Sequence, residues 1–295
     1  MRSNPAEARR ASARTPKAPP READTANGQS AKTSGKAGAG AERAREGDSL
    51  MVGSVEKAFR VLGAFGQGHA SLSLSQVADL AGMNLSAAQR FTHTLLKLGY
   101  LRKDAATRRL ELSPRTLDVA AHFLRGNSLV NTAMPYLMHL SKQTEETVNL
   151  TLLDGVEIGL VSRFMSRHML NTDVVVGARM PAYCTAPGRA ILSRMPEGEA
   201  IAIIDASDRV AHTAHTTWRR EDVLERVRQA RRQGFESQFQ EVLHGDVSVA
   251  AAIVDAAGRP RGAVNLAVSA SRYNHDEAVE RFAPLVVAAA HAISR

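Results

Sequence analysis

Between residues 50 and 112 the apolar positions follow helical spacing and then strand spacing. Leu74, Val77, Ala78 and Ala81 fall on one helical face. Ser73 stands ahead of them as an N-cap, and Gly82 follows where a left-handed residue closes a helix. Asn84 is placed to cap a second helix, with Ala88, Phe91, Leu95 and Leu98 as its apolar stripe and Gly99 at its end. The opposite face carries Ser86, Gln89, Arg90, His93 and Lys97. Residues 100–103 and 108–112 read as two short strands around Asp104, Ala105, Ala106 and Thr107. Upstream, Ser54 is expected to cap a helix whose Val55, Ala58, Phe59, Leu62 and Phe65 face inward. Three helices and a basic hairpin spell a winged helix-turn-helix over 50–112.

That pattern carries a chemical expectation. The start of a second helix of this type enters the major groove, where glutamine pairs with adenine and arginine with guanine. The expected DNA contacts are Asn84, Ser86, Ala87, Gln89, Arg90 and His93 on the helix. In the hairpin they are Arg102, Lys103, Arg108 and Arg109, suited to phosphates or the minor groove. An ordinary solvated helix face is the plain alternative, and the basic hairpin behind it weighs against that alternative.

Past the hairpin, Ser113 and Pro114 read as N-cap and first turn of a linker helix over 113–127, with Leu117, Ala120, Ala121 and Leu124 on one face. Residues 128–295 read as α+β. A helix over 129–142 leads to a strand at 148–153, a turn at Asp154-Gly155 and a return strand at 157–163. A third strand is expected at 173–176 and a helix at 186–195. Residues 220–233 form a helix ended by Gly234, 247–254 and 261–269 pair as a second hairpin, and 275–293 form a closing helix. Hairpins alternating with helices predict one antiparallel sheet with helices packed on it.

Charge divides the chain in the same way. Residues 50–112 hold 8 Lys/Arg against 4 Asp/Glu, whereas 113–295 hold 20 of each. Bulk electrostatics therefore place nucleic acid on the first part and not the second. Residues 2–49 lack Leu, Ile, Val, Phe, Tyr and Trp, so this basic tail is expected to be disordered. No apolar run reaches the ~20 residues that span a membrane. The single cysteine excludes an internal disulfide and suits a cytoplasmic location.

The segments SVEKAFRVLGAF and SLSQVADLAGMNLSAAQRFTHTLLKLGYL resemble the DNA-binding half of IclR-type bacterial transcription regulators. TVNLTLLDGVEIGLVSR, VGARMPAYCTAPGRAIL and GFESQFQEVLHGDVSVAAAIVDAAGRPRGAVNLAVS resemble the second half, in the same order. The PAYCT segment is similar to the branch that controls aromatic-acid catabolism, such as protocatechuate and 4-hydroxybenzoate. The resemblance implies a winged helix-turn-helix joined by a linker helix to a GAF-like antiparallel-sheet effector domain. It further implies a homodimer or dimer of dimers on double-stranded operator DNA, a small organic or aromatic acid as effector, and RNA polymerase as a further partner. No cofactor or metal is implied. By position it implies a pocket drawing on Ala186, Pro187, Gln238, Glu241, Ser248 and Ser269. This chain departs from the pattern in Pro187, which has no N–H for a carboxylate, and in Gln238, where an acidic residue is common in relatives.

Read from the residues alone, an organic acid needs a cation or convergent donors in a mostly apolar cavity. Arg163, at the end of a strand, is the leading candidate clamp, with Arg179 and Arg189 flanking the PAYCT loop. Tyr183 offers a ring for stacking, and Cys184, Thr185 and Asn265 offer polar contacts. Surface or structural roles compete for every one of these side chains. Two other functions compete as well. An enzyme would use Cys184 as nucleophile with His212, His215 or His244 as base, and His212 with His215 has the look of a metal pair. A non-specific architectural DNA binder would leave the neutral second half without a task.

Overall fold

The computed structural model describes residues 50–66, 68–168 and 174–294. The basic tail at 1–49 and Asp173 of the expected third strand lie outside these. Helix α1 (Gly53–Gly63) comes first, then α2 (Leu74–Leu80) and α3 (Leu85–Lys97). The wing strands β1 (Leu101–Lys103) and β2 (Leu110–Leu112) pair antiparallel. A lone bridge between Leu72 and Leu110 ties the wing back to the start of α2.

The capping chemistry read from the sequence is present in atoms. Ser73 and Gln76 form a reciprocal capping box on α2. Asn84 Oδ1 accepts from Ala87 N at 2.8 Å to open α3. Gly82 and Gly99 take positive φ of 61° and 81° where the two helices end. Val61, Phe65, Leu72, Val77, Ala81, Leu95, Leu101 and Leu110 form the core of this part.

Three local expectations change. Ser54 lies inside α1 rather than ahead of it. The helix turns Val61 inward and Phe65, just past its end, is also buried, whereas Val55 and Phe59 are 52% and 68% exposed. In α3 the stripe shortens at its C-terminal end. Leu98 is the C-cap and is exposed, and buried Thr92 joins the inner face by donating to Ala88 O at 2.7 Å.

The linker helix α4 (Thr116–Gly126) starts two residues later than expected and has no side-chain cap. Ser113 Oγ receives Arg115 N at 3.2 Å, and Ser113 O receives Thr116 N. No residue of α4 is buried; Leu117, Val119 and Phe123 are exposed.

Beyond it come α5 (Ser128–Thr144), β3 (Thr147–Asp154), β4 (Glu157–Phe164), β5 (Arg179–Pro181), α6 (Ala186–Ser193) and α7 (Glu197–Ala206). The order ends with α8 (Arg220–Gln233), β6 (Glu236–Phe239), β7 (Asp246–Val254), β8 (Pro260–Ser269) and α9 (His275–Ile293). The strands form one antiparallel sheet in the order β5-β4-β3-β8-β7-β6. The third strand lies at β5, downstream of the expected 173–176, whose described residues 174–176 are not in a strand. Helix α7 and strand β6 are additions to the expected set.

Period-two alternation gives this sheet two unlike faces. Val148 and Leu150 of β3, Val247, Val249, Ala251 and Ile253 of β7, and Val264, Leu266 and Val268 of β8 point one way. They bury against Ala133, Leu137 and Leu140 of α5, and against Phe282, Val286 and Ala290 of α9. Each fully buried Leu, Val or Phe contributes about 1.5–3 kcal/mol. The residues between them point the other way and mix polar side chains, Asn149, Ser248 and Asn265, with alanines, Ala250, Ala252 and Ala267, and that second face builds the site described next.

Candidate functional site

The register lays polar side chains side by side across the second face. Arg163 of β4 lies opposite Asn149 of β3, and Asn149 lies opposite Asn265 of β8. One step along, Thr147 pairs with Ala267, Ala267 with Ser248, and Ser248 with Gln238. Hydrogen bonds join the row: Arg163 Nη1 donates to Asn149 Oδ1 at 3.2 Å, and Asn265 Nδ2 donates to Ser248 Oγ at 2.9 Å.

The start of α6 covers this face. Thr185 caps α6 by accepting from Gly188 N at 3.3 Å and donates to Pro181 O at 2.9 Å. Gly188 is required there, because a Cβ would sit 2.2 Å from Ala182 O. Between sheet, α6 and the loop at 242–245 lies a cavity of about 90 Å³.

Of the expected effector residues, Arg163, Thr185, Ala186, Pro187, Gln238, Ser248, Asn265 and Ser269 line this cavity. Tyr183, Cys184 and Glu241 do not. Tyr183 is buried, and its hydroxyl donates to Val210 O at 2.7 Å and lies 3.1 Å from His212 Nε2. Burial pushes its pKa up to about 12. Burial also pushes the Cys184 thiol up to about 12, and a thiol held protonated is a poor nucleophile. Among the described residues no group of three His, Cys, Asp or Glu side chains is placed to hold a metal ion.

Glu241 serves a different centre. Arg189, fully buried, contacts Glu236 at 3.1 Å and Glu241 at 2.5 Å. Arg226 adds a second cation on Glu236 at 2.5 Å. Burial works against the Arg189 charge, but the two carboxylates outweigh it and its pKa is raised. Arg189 is thus a tie between α6, β6 and the loop after β6. Arg179 is paired with Asp154 and Glu157 on an exposed edge.

The cavity also contains residues not among those expected to hold an effector: Glu146, Thr147, Asn149, Thr151, Ser166, His168, Asp246, and His244, expected only as a base for Cys184. Thr147, Asn149 and Thr151 were visible as the polar half of the alternation in TVNLTLL. Glu146 is buried and paired with Arg272. Asp246 Oδ2 accepts from Gln238 Nε2 at 2.6 Å, and burial pushes its pKa up to about 6 against the pull of Gln238 and Arg163. Burial lowers the pKa of Arg163, which Asp246 partly offsets.

The other candidate surface is the outer face of α3 with the wing. Ser86, Gln89, Arg90 and His93 are exposed, and Ala87 is half-buried. Asn84 is also exposed, with its side-chain oxygen engaged in the cap. In the wing, Lys103 and Arg108 are exposed, and Arg102 pairs with Glu111 at 2.8 Å. Arg109 is turned inward: its guanidinium donates to Ser71 Oγ, Ser71 O and Gln76 Oε1 at 2.8–2.9 Å. It fastens the wing to the start of α2. Asp104 shapes the wing turn by accepting from Ala106 N, Thr107 N and Thr107 Oγ1, bonds that hold its carboxyl below the usual range.

Residues 54–105 match the IclR helix-turn-helix domain, and residues 121–295 match the bacterial transcriptional regulator IclR C-terminal domain. The Pca regulon regulatory protein of Pseudomonas putida is 31% identical over 244 residues, covering 82% of this chain and 83% of that protein. A Rhodococcus sp. RHA1 crystal structure, assigned as a transcriptional regulator, shares 31% identity at a TM-score of 0.71, covering 83% of this chain and 97% of its own. An IclR homologue of Microbacterium hydrocarbonoxydans complexed with 4-hydroxybenzoate shares the fold, at 19% identity, a TM-score of 0.68, and coverage of 82% and 97%. The chain belongs to the IclR family of bacterial transcriptional regulators.

Proposed function

We propose that this regulator, acting in the cytoplasm, binds a small organic acid, best an aromatic one, in the cavity on the polar face of its sheet. We further propose that the bound acid changes how α3 and the wing engage operator DNA. The observation that carries this reading is the row of Arg163, Asn149 and Asn265, which places a cation and two amides on one wall of this cavity. The Microbacterium homologue's complex with 4-hydroxybenzoate supports the aromatic class.

At about 90 Å³ the space is smaller than the roughly 150 Å³ apolar cavity that accepts benzene. A single-ring acid therefore requires the 242–245 loop or α6 to shift outward. Such a shift would supply the differential affinity between two states that ligand control demands. Two copies would act together, with exposed Phe59, Leu117, Val119 and Phe123 offering apolar surface for the second. RNA polymerase contact is a further proposed outlet.

The test is a thermal-shift screen of the full chain against benzoate, 4-hydroxybenzoate, protocatechuate and short-chain acids, followed by operator footprints with each hit. A stabilising acid that changes the footprint, with Arg163→Ala weakening it at least about tenfold, is expected. No shift with any acid would overturn the effector class. On the DNA side, Gln89→Ala and Arg90→Ala should lose operator preference while the protein stays folded. Arg108→Ala should weaken all sequences alike and reduce the salt slope by about one. Unchanged footprints for the first pair would refute their assignment.

A further inference from the structure

Resting on that acid-binding reading, one residue of the cavity wall needs a separate account. Asp246 opens β7 opposite Ser269 of β8 and faces the space the acid would fill. Its Oδ2 is held by Gln238 Nε2. The charged and titratable neighbours come from several elements. Arg163 projects from β4, and Glu146, just before β3, is already neutralised by Arg272. His168 lies on the loop after β4 and His244 on the loop before β7. The linings from β6, β8 and α6, among them Gln238, Ser269 and Thr185, do not titrate.

The cavity therefore holds a fixed anion before any ligand arrives. An incoming carboxylate drawn to Arg163 must share that cation with Asp246. Two anions held close to one cation in the same cavity repel each other, and the usual relief is that one of them protonates. Asp246 is the group prepared to do so, since burial has already pushed it up to about 6 in the empty cavity.

We propose that Asp246 takes up a proton as an organic-acid anion enters the cavity, so that this regulator senses the acid and the proton together. The balance is simple: ligand anion, solvent proton and ionised Asp246 become bound anion and neutral Asp246. The one bond formed is O–H, and Gln238 Nε2 keeps its acceptor. The sign follows directly. Around pH 7 the free carboxyl is about nine-tenths ionised, so binding draws in about 0.9 proton. Affinity falls as pH rises through about 6, by about 50-fold between pH 6 and pH 8 if the bound form stays protonated.

The experiment uses the full chain, with benzoate and 4-hydroxybenzoate as probes. Titration calorimetry at pH 7 in two buffers of different ionisation heat counts the protons, and affinities from pH 5.5 to 8 give the profile. The wild type should take up about 0.9 proton, and Asp246→Asn, which keeps an acceptor for Gln238, should take up almost none and bind about 100-fold tighter than the wild type at pH 8. Binding by the wild type without proton uptake overturns the proposal while leaving the acid reading intact. Uptake that persists in Asp246→Asn also overturns it and moves the proton to His168 or His244. Failure of both probes to bind at any pH overturns the acid reading and this inference with it. A measurement free of variants comes from aspartate carboxyl ¹³C shifts of the wild type. The Asp246 midpoint should move up by about three pH units or more on adding the probe, and an unmoved midpoint refutes the proposal.

Discussion

Replacing Arg189 with Met should unfold the second half of the chain more readily than any change in the cavity lining. Arg189 is fully buried and makes three contacts to carboxylates: Nε to Glu236 at 3.1 Å, and Nη1 and Nη2 to Glu241 at 2.9 and 2.5 Å. Met fills much of the volume but removes the charge. Glu241 then keeps only Thr217 N, at 2.8 Å, while Glu236 keeps Arg226. Breaking a buried ion pair from one side costs about 3–5 kcal/mol, because a carboxylate is left without its cation. The surviving Arg226 contact puts this case at about 3 kcal/mol. For a folded part of this size that lowers Tm by about 6–12 °C. The assay is thermal unfolding followed by fluorescence of Trp218, the single tryptophan, which neighbours Thr217. Adding Glu241→Gln to Arg189→Met should recover about 1 kcal/mol by removing the stranded charge. A Tm within about 2 °C of the wild type, or a double variant in which the two losses simply add, would refute the reasoning.

Three further outcomes are expected. Gly188→Ala should cost about 2–3 kcal/mol, measured by denaturant melts, because its Cβ meets the Ala182 backbone and no flexible side chain is there to give way. Arg109→Ala should weaken DNA binding chiefly by loosening the wing. Amide exchange across β1 and β2 should rise in that variant and stay unchanged in Arg108→Ala. Asp246→Asn should stabilise the free protein by about 1–2 kcal/mol above pH 6, a range that allows for the partial exposure of Asp246, and should have no effect near pH 4. A carboxyl raised in the fold favours the native state while protonated, and that advantage is lost as pH rises from about 4 through about 6. Urea melts across that range check both size and sign.

Elements whose ends carry their own chemistry were legible from the residues. Helices α2 and α3 have Ser73, Asn84, Gly82 and Gly99 at their boundaries, and α8 ends at Gly234 with φ 86°. The hairpin at Asp154 announces itself because Gly155 must take φ 63°. Helix α7 was not legible: its EGEAIAIIDA is apolar without a clear face, and Pro196 gives no side-chain cap. Val55 and Phe59 had the right spacing for a core. Periodicity reports that a face is apolar, however, and not which neighbour covers it. Within the site, Asn265 is named from the residues as a polar contact, and Ser248 comes only from the family resemblance. Thr147 and Asn149 join them only through the register between β3 and β8, which the spacing within one strand does not reveal. Arg189 and Tyr183 lie beside the CTAPG turn in sequence, yet their side chains point into the packing beneath it. Proximity along the chain says nothing about that direction.

The two-faced sheet has an evolutionary consequence. In β3 and β8 the odd-numbered residues 147, 149, 151, 265, 267 and 269 line the cavity, and the even-numbered 148, 150, 264 and 266 belong to the apolar core alone. Selection can therefore rewrite what the cavity accepts by point changes at odd positions while leaving the even positions that hold the fold untouched. A single-residue insertion within either strand has no such freedom. It would exchange the two sets downstream of the insertion, putting amides into the core and leucines into the cavity. Diversification among descendants of this chain should thus run through substitutions in these strands, with changes in length confined to the turns.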